Sequence, residues 1–485
     1  MRRFAMLAAL LVSACTVGPD YSRPAQPSSA GGPFVDPGTT KVSTGPAEGQ
    51  WWRLFQDPVL DRLVADALAH NSDVRVAAAN LRRARGALAE ARSQRMPGAE
   101  ATAEYRYERS GANSGPSGQN IPSDTSSFYS VGIDAGYQVD LFGGIARSIE
   151  AARGDLGAAQ AEFDAARITV AAETARSYAL ACGFAAQATV ARETAGLQQR
   201  TLDLTQRLLS AGRGTQRDVD QAVVLTENAR AQVPQLEAER RAALYALATL
   251  TGRTPAETDA DAVRCAVPPG VAQLIPVGDG AALLARRPDV RKAEQQLAAD
   301  TARIGVAVSE LYPSITLLGS ISLGSRRLSD LGDKDSLNFS LGPLISWNIA
   351  NLVTARTRVR QAEAKAEASL ATFDGAVLGA LREVEQALAR YSGEIERNVA
   401  LRRAEGAAAN AARIAEARFE AGRDSFLQRL DAERDRATAR SALAQSNSAL
   451  AEAQVALFNA LGGGWEGAPE PVRREAGVVA TNRSP

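Results

Sequence analysis

The sequence predicts an α+β membrane protein in which four strands per chain close a twelve-stranded β-barrel only as a trimer. That barrel is expected to be continuous with a long periplasmic α-helical barrel, the whole built on an internal two-fold repeat. Three observations carry the prediction. The chain repeats itself at an offset of about 210 residues, far longer than a solenoid period. Each half carries two segments of two-residue alternation. The first half then carries about 64 residues without proline between Arg147 and Ser210, which as one helix would extend roughly 95 Å.

In chain order, residues 1–14 read as a secretory signal, with Arg2 and Arg3 as the basic region, an apolar run from Phe4 to Val12, and small residues Ser13 and Ala14 at the cut. Cys15 follows. Val12-Ser13-Ala14-Cys15 looks like a bacterial lipobox, in which the thiol receives a diacylglycerol and becomes an acylated N-terminus. The alternative is an ordinary signal peptide that happens to carry a cysteine. Residues 15–50 then form a lipidated linker ahead of the first repeat, residues 51–252. A second linker, 253–280, separates it from the second repeat, 281–462, and a tail, 463–485, follows.

The repeat is read by walking the offset. Tyr137 falls on Trp347, Phe163-Asp164 on Phe373-Asp374, Glu173 on Glu383, Ala211-Gly212-Arg213 on Ala421-Gly422-Arg423, and Gly252 on Gly462. Upstream the offset is about 216, pairing Asp73-Val74-Arg75 with Asp289-Val290-Arg291 and Pro97 with Pro313. The difference falls in a Ser/Gly/Asn/Pro-rich loop over 110–127, whose counterpart near 326–336 is shorter.

Strands are expected at about 99–109, 128–142, 314–325 and 337–349, each long enough to cross a bilayer when tilted. In the first, Ala99, Ala101, Ala103, Tyr105 and Tyr107 alternate with Glu100, Thr102, Glu104, Arg106 and Glu108. A soluble half-buried sheet alternates in the same way, so length and aromatic placement decide. Tyr105, Tyr107, Tyr129, Tyr137, Phe339 and Trp347 lie towards strand ends, as an aromatic girdle does. Four strands cannot close, and an open edge in hydrocarbon leaves unpaired backbone groups costing several kcal/mol each. Two copies would make about eight strands with a filled interior, and three make about twelve with a wet lumen, which the polar inner faces favour.

The proline-free segment shows a heptad seam through Ile149, Ala152, Leu156, Ala159, Phe163, Ala166 and Val170. The long helices end at Gly212 and Gly422, residues suited to the left-handed conformation of a helix terminus. Thr215 with Asp218, and Ser425 with Gln428, have capping-box spacing for the return helices. Pro234 should kink the first of them.

Composition excludes other classes. The formal charge is zero, or about −2 without Arg2 and Arg3, which leaves no basic footprint for nucleic acid. With one histidine, His70, and no catalytic, nucleotide-binding or metal-ligand motif, neither an enzyme nor a cofactor or metal site is expected. Cys182 and Cys265 read as structural, and an oxidising compartment would permit a disulfide between them.

Trp51-Trp52-Arg53-Leu54-Phe55-Gln56-Asp57-Pro58, Asn71-Ser72-Asp73-Val74-Arg75, Arg287-Pro288-Asp289-Val290-Arg291 and Leu311-Tyr312-Pro313-Ser314 carry a resemblance that spans Cys15 to about Gly463. The chain resembles the TolC-like outer-membrane factors, specifically the NodT-type lipoproteins of RND efflux pumps. The resemblance implies a lipid-anchored homotrimer in the outer membrane that forms the passive exit duct of a tripartite pump for drugs or other small solutes. The implied partners are a periplasmic adaptor, an inner-membrane RND transporter and outer-membrane lipid. It also implies a periplasmic gate lined by Asp218 and Asp431, and adaptor docking at hairpin tips made by Gly212, Arg213, Thr215, Gly422, Arg423 and Ser425. A second acidic position found in some relatives is Gln428 here. Asp218 has an equal claim as the partner of Thr215 in a cap, whereas Asp431 lies beyond the cap. Exit ducts for type I protein secretion or heavy-metal efflux would share this fold, and a poreless coiled-coil tether is opposed by the four strands.

Overall fold

The computed structural model describes residues 16–35, 42–46, 49–110, 113–114, 120–121, 124–464 and 468–472. The signal segment 1–14, Cys15, the tip of the 110–127 loop and most of the tail lie outside the described residues.

Helices run α1 (Pro58–His70), α2 (Ser72–Ser93), α3 (Gly144–Ser210), α4 (Gln216–Leu250), α5 (Ala260–Arg264), α6 (Gly280–Arg286), α7 (Pro288–Ser309), α8 (Leu352–Glu420) and α9 (Phe426–Ala460). The chain divides into two compact units, one falling in residues 1–24, 82–158 and 293–373 and the other in 25–81, 159–292 and 374–485.

The first unit holds a four-stranded antiparallel sheet of β1 (Gly98–Ser110), β2 (Asp124–Val139), β3 (Ser314–Ser325) and β4 (Leu337–Ser346), in that order, with a separate two-stranded ladder, Asn113–Ser114 against Asn120–Ile121, in the connection from β1 to β2. Ala101 lies opposite Ile133, Ile133 opposite Ile321, and Ile321 opposite Phe339. The β2–β3 ladder therefore joins the two repeats. Repeat and register agree: the offsets carry Glu100↔Asp134 of the first hairpin onto Thr316↔Leu344, an observed pair of the second.

Three strand ends differ from the sequence expectation, the first being the start of the second strand, at Asp124 rather than about 128. The second strand stops at Val139 because the Asp140 carboxylate turns to accept from Ile145 N (3.0 Å) and Ala146 N (2.7 Å), capping α3. The fourth stops at Ser346 rather than 349, and Ile349–Asn351 forms a short 3₁₀ turn into α8. Helix packing in this unit is close. A Cβ on Gly154 of α3 would lie 2.8 Å from both the Ala299 Cβ and the Gln295 carbonyl of α7. Asp300, almost fully buried on α7, accepts from Arg303 (2.6 Å) and Ser369 of α8 (2.6 Å).

The second unit has the larger core. Trp51 stacks on Phe458 of α9 at 4.9 Å between centroids, beside Leu60, Leu63 and Leu68 of α1 and Tyr391 of α8. The Arg287 guanidinium, nearly buried at the head of α7, donates to the Ala460 carbonyl (2.9 Å) and pairs with Asp289 (2.6 Å) and Glu383 (2.7 Å). One side chain thus ties the start of α7 to α8 and to the end of α9. Cys182 of α3 and Cys265, just after α5, form a disulfide with Cα atoms 5.0 Å apart. Helix α4 runs unbroken through Pro234.

Candidate functional site

One face of the sheet is apolar in every strand. The rows Ala103–Val131–Leu323–Leu337, Ala101–Ile133–Ile321–Phe339 and Val139–Ile315–Ile345 follow from the ladder registers. These side chains meet no covering layer: Phe339 is 82% and Leu341 78% exposed. The opposite face carries Glu100, Asp134, Ser320 and Ser340 in one row, the two serine oxygens 2.8 Å apart, with Phe128, Leu318 and Leu344 as exceptions. A sheet apolar on one face and polar on the other, with its apolar face open, fits lipid on one side and water on the other.

Aromatic residues stand towards both ends of that face. Tyr105 packs against Tyr129 at 5.0 Å, and Tyr107 lies one same-face rung beyond, opposite Ser127. Tyr137 lies ten residues further along β2, about 33 Å along the strand and close to 25 Å in height at the usual tilt of outer-membrane strands. Trp347, just past β4, donates its indole N–H to the Leu311 carbonyl (3.2 Å) at the Tyr137 end. Phe339 departs from the girdle expectation. It lies on the Ile133 rung, midway between Tyr129 and Tyr137, because β4 begins opposite Leu323 rather than at the loop end of β3.

At the foot of the sheet the structure shows a device with no local sequence signal. Arg147 of α3, with 5% of its side chain exposed, donates to the carbonyls of Val17 (3.2 Å) and Gly18 (3.2 Å) and to Asp20 (2.7 Å). Val17 N donates to the Phe142 carbonyl (3.2 Å). Gly18, at φ +88°, lies so close to Gly305 of α7 that a Cβ would sit 2.5 Å from its Cα. The residues that follow Cys15 are therefore pinned beside the end of β2.

At the hairpin tips, Gly212 (φ +71°) and Gly422 (φ +67°) take the left-handed conformation. Arg213 N reaches the Leu208 carbonyl and Arg423 N the Arg418 carbonyl, both at 2.8 Å, closing Schellman turns. Both arginine side chains are exposed. Thr215 donates from its backbone (2.9 Å) and hydroxyl (2.7 Å) to Asp218, and Asp218 N donates back to the hydroxyl (3.3 Å). Ser425 and Gln428 repeat the box with a neutral partner. Asp431 stands outside the cap with its side chain 66% exposed and one ion pair, to Arg434 at 3.4 Å. Among the described residues neither Asp218 nor Asp431 bonds the other. Helices α3 and α9 are joined by Thr201 donating to Glu433 (2.9 Å) and by the Arg440–Glu193 pair, while Arg429 holds Glu433 (3.0 Å) and Glu416 of α8 (3.3 Å). The Thr201–Glu433 and Arg440–Glu193 pairs join residues of different repeats far apart in sequence, so spacing could not reveal them.

The hydrogen bonds from the Thr215 hydroxyl and backbone hold the Asp218 carboxyl below the ordinary carboxylate range. A lowered folded-state pKa stabilises above the unfolded value and is lost as pH falls through the folded one. Amide exchange around Gly212–Asp218 is thus expected to be slow near neutrality and to accelerate, relative to the intrinsic rate, below about pH 4. The Ser425–Gln428 tip should show no such step, and identical pH profiles at the two tips would refute the assignment.

Among the described residues no cluster could hold a metal ion, and no helix is long and apolar enough to cross a membrane. The family model described as outer membrane efflux protein matches residues 63–253 and 281–463, one match per repeat. The chain is 31% identical over 471 residues to outer membrane protein OprJ of Pseudomonas aeruginosa, covering 95% of each. It is 30% identical over 485 residues to nodulation protein T of Rhizobium leguminosarum bv. viciae, covering 99% of this chain and 98% of that one. Among solved structures, the outer-membrane channel OprN superposes with a TM-score of 0.87 at 35% identity, over 93% of this chain and 100% of that one.

Proposed function

The chain belongs to the outer membrane efflux protein family and is an outer-membrane exit duct of efflux pumps, and from that premise we propose how it is assembled and gated. Three copies close one barrel, and the duct works passively with a periplasmic adaptor and an inner-membrane RND transporter that supplies the energy. Cys15 carries the lipid anchor, a reading supported by the bonds of Arg147 to Val17, Gly18 and Asp20 beside the foot of the sheet. Tyr105, Tyr107, Tyr129, Tyr137 and Trp347 form the girdle, and the tips at Gly212–Thr215 and Gly422–Ser425 dock the adaptor.

The observation that carries the reading is the sheet: four bilayer-length strands with a lipid-type face, a water-type face and two outer edges, one on β1 and one on β4, without a strand partner among the described residues. Such edges in hydrocarbon must be paired, and copies of the same chain supply the partners. Relatives are named for pyoverdine export and for cation efflux at similar coverage. Cargo choice is accordingly assigned to the inner-membrane partner rather than to the duct.

Asp431 is the gate carboxylate and Asp218 serves as cap and gate together. Three-fold symmetry brings like carboxylates close, where they attract cations and narrow the passage. In planar bilayers the wild-type protein is expected to conduct weakly. Asp431→Ala should raise single-channel conductance several-fold and weaken cation preference. Silence from both proteins would sink the duct, and equal conductance would remove Asp431 from the gate.

A further inference from the structure

We propose that β4 of one protomer pairs antiparallel with β1 of the next in a single register, with Trp347 opposite Ala101 and Ser346 opposite Thr102 of the neighbour. The inference rests on the homotrimer reading and specifies its seam. Within one chain the β2–β3 ladder is the joint between consecutive repeats, and in a closed ring the joint between protomers is the same joint one repeat later. Under the repeat, β2 becomes β4 and β3 becomes β1. The observed pairs Tyr137↔Leu317, Gly136↔Leu318 and Val131↔Leu323 then become Trp347↔Ala101, Ser346↔Thr102 and Leu341↔Tyr107. The offsets have an independent check, since they convert the register of the first hairpin into that of the second.

Two further observations agree. The seam matches faces: Leu341 and Ile345 fall beside Tyr107 and Ala103 on the lipid side, and Ser340 and Ser346 beside Glu108 and Thr102 on the polar side, as any register with both faces correct requires. Gly342 falls opposite Arg106. In its own chain a Cβ on Gly342 would meet nothing within 4 Å, whereas Gly132, its repeat counterpart, has Ser322 Cβ at 2.8 Å from the same built position. The neighbour's Arg106 supplies the crowding that the isolated chain lacks. The equivalents of Tyr137↔Leu317 and Val139↔Ile315 lie past the end of β4 at Ser346, so closing the seam requires residues 347–349, which in the single chain lead into a 3₁₀ turn at Ile349, to extend alongside β1 of the neighbour.

Cysteine pairs in the full-length protein test the register. Cys182 and Cys265 are already bonded to each other and an acylated Cys15 has no free thiol, so introduced thiols stand alone. Directly opposed residues have Cα atoms about 4.5–5.5 Å apart, within disulfide range, while positions two residues off lie beyond it. Oxidised outer membranes bearing Ser346→Cys with Thr102→Cys should yield reducible covalent trimers on denaturing gels. Ser346→Cys with Glu100→Cys, or with Glu104→Cys, should yield less than about a tenth as much. A shifted pair that links better, or no linking in a particle whose light-scattering mass is three chains, overturns the register and leaves the trimer standing. A particle of any other stoichiometry overturns the trimer, and the seam with it.

Discussion

Ile133→Arg is expected to remove the protein from the outer membrane. Ile133 occupies the middle apolar row, flanked by Ala101 and Ile321, and its side chain is open to the surroundings. An arginine at the bilayer midplane of an outer-membrane barrel costs about 2–4 kcal/mol. Three-fold assembly repeats that cost in every protomer. Ser320→Arg is the matched control, one rung away on the polar face opposite Asp134, where water and a carboxylate receive the guanidinium. Fractionated membranes and unboiled denaturing gels should show trimer for Ser320→Arg and for the wild type, and none for Ile133→Arg. Equal trimer from both variants would mean that the apolar face does not meet lipid.

The second large effect concerns the disulfide. Cys182 is fully buried in the main core of its unit, and the bond closes a loop of sequence separation 83 that contains the first hairpin tip and the whole of α4. Chain-entropy arguments give a bond closing such a loop roughly 4–5 kcal/mol, more than most single core contacts. The double replacement Cys182→Ala, Cys265→Ala is expected to lower the guanidinium midpoint clearly and to open the 253–280 linker to protease. Reducing agent should do the same to the wild type. An unchanged midpoint would mean that the surrounding core holds the linker without the bond.

The strands were readable from the sequence because a wall between lipid and water imposes alternation along its whole length, and the hairpin tips because a turn needs glycine and a cap needs a hydroxyl. Where strands end was less readable. Asp140 looks like the next polar residue of the alternation, and only its position at the head of α3 makes it a cap. Phe339 was misplaced for a related reason: height in a barrel depends on stagger between strands, and distance from the end of one strand does not measure it. The Arg147 clamp and the Thr201–Glu433 link depend on partners more than a hundred residues away, which leave no periodic trace. The disulfide belongs to the same group, because cysteine spacing alone does not establish proximity.

The open apolar face and unpaired edges that make a good barrel stave make a hazardous solitary chain. Before assembly, each exported copy would carry a broad greasy surface and two strand templates through an aqueous compartment, where such features drive aggregation. Meeting two further copies is a concentration-dependent event, so the waiting time lengthens when expression is low, while misassociation competes when it is high. Until the edges are paired in the membrane, correct assembly and aggregation therefore compete for the same surfaces.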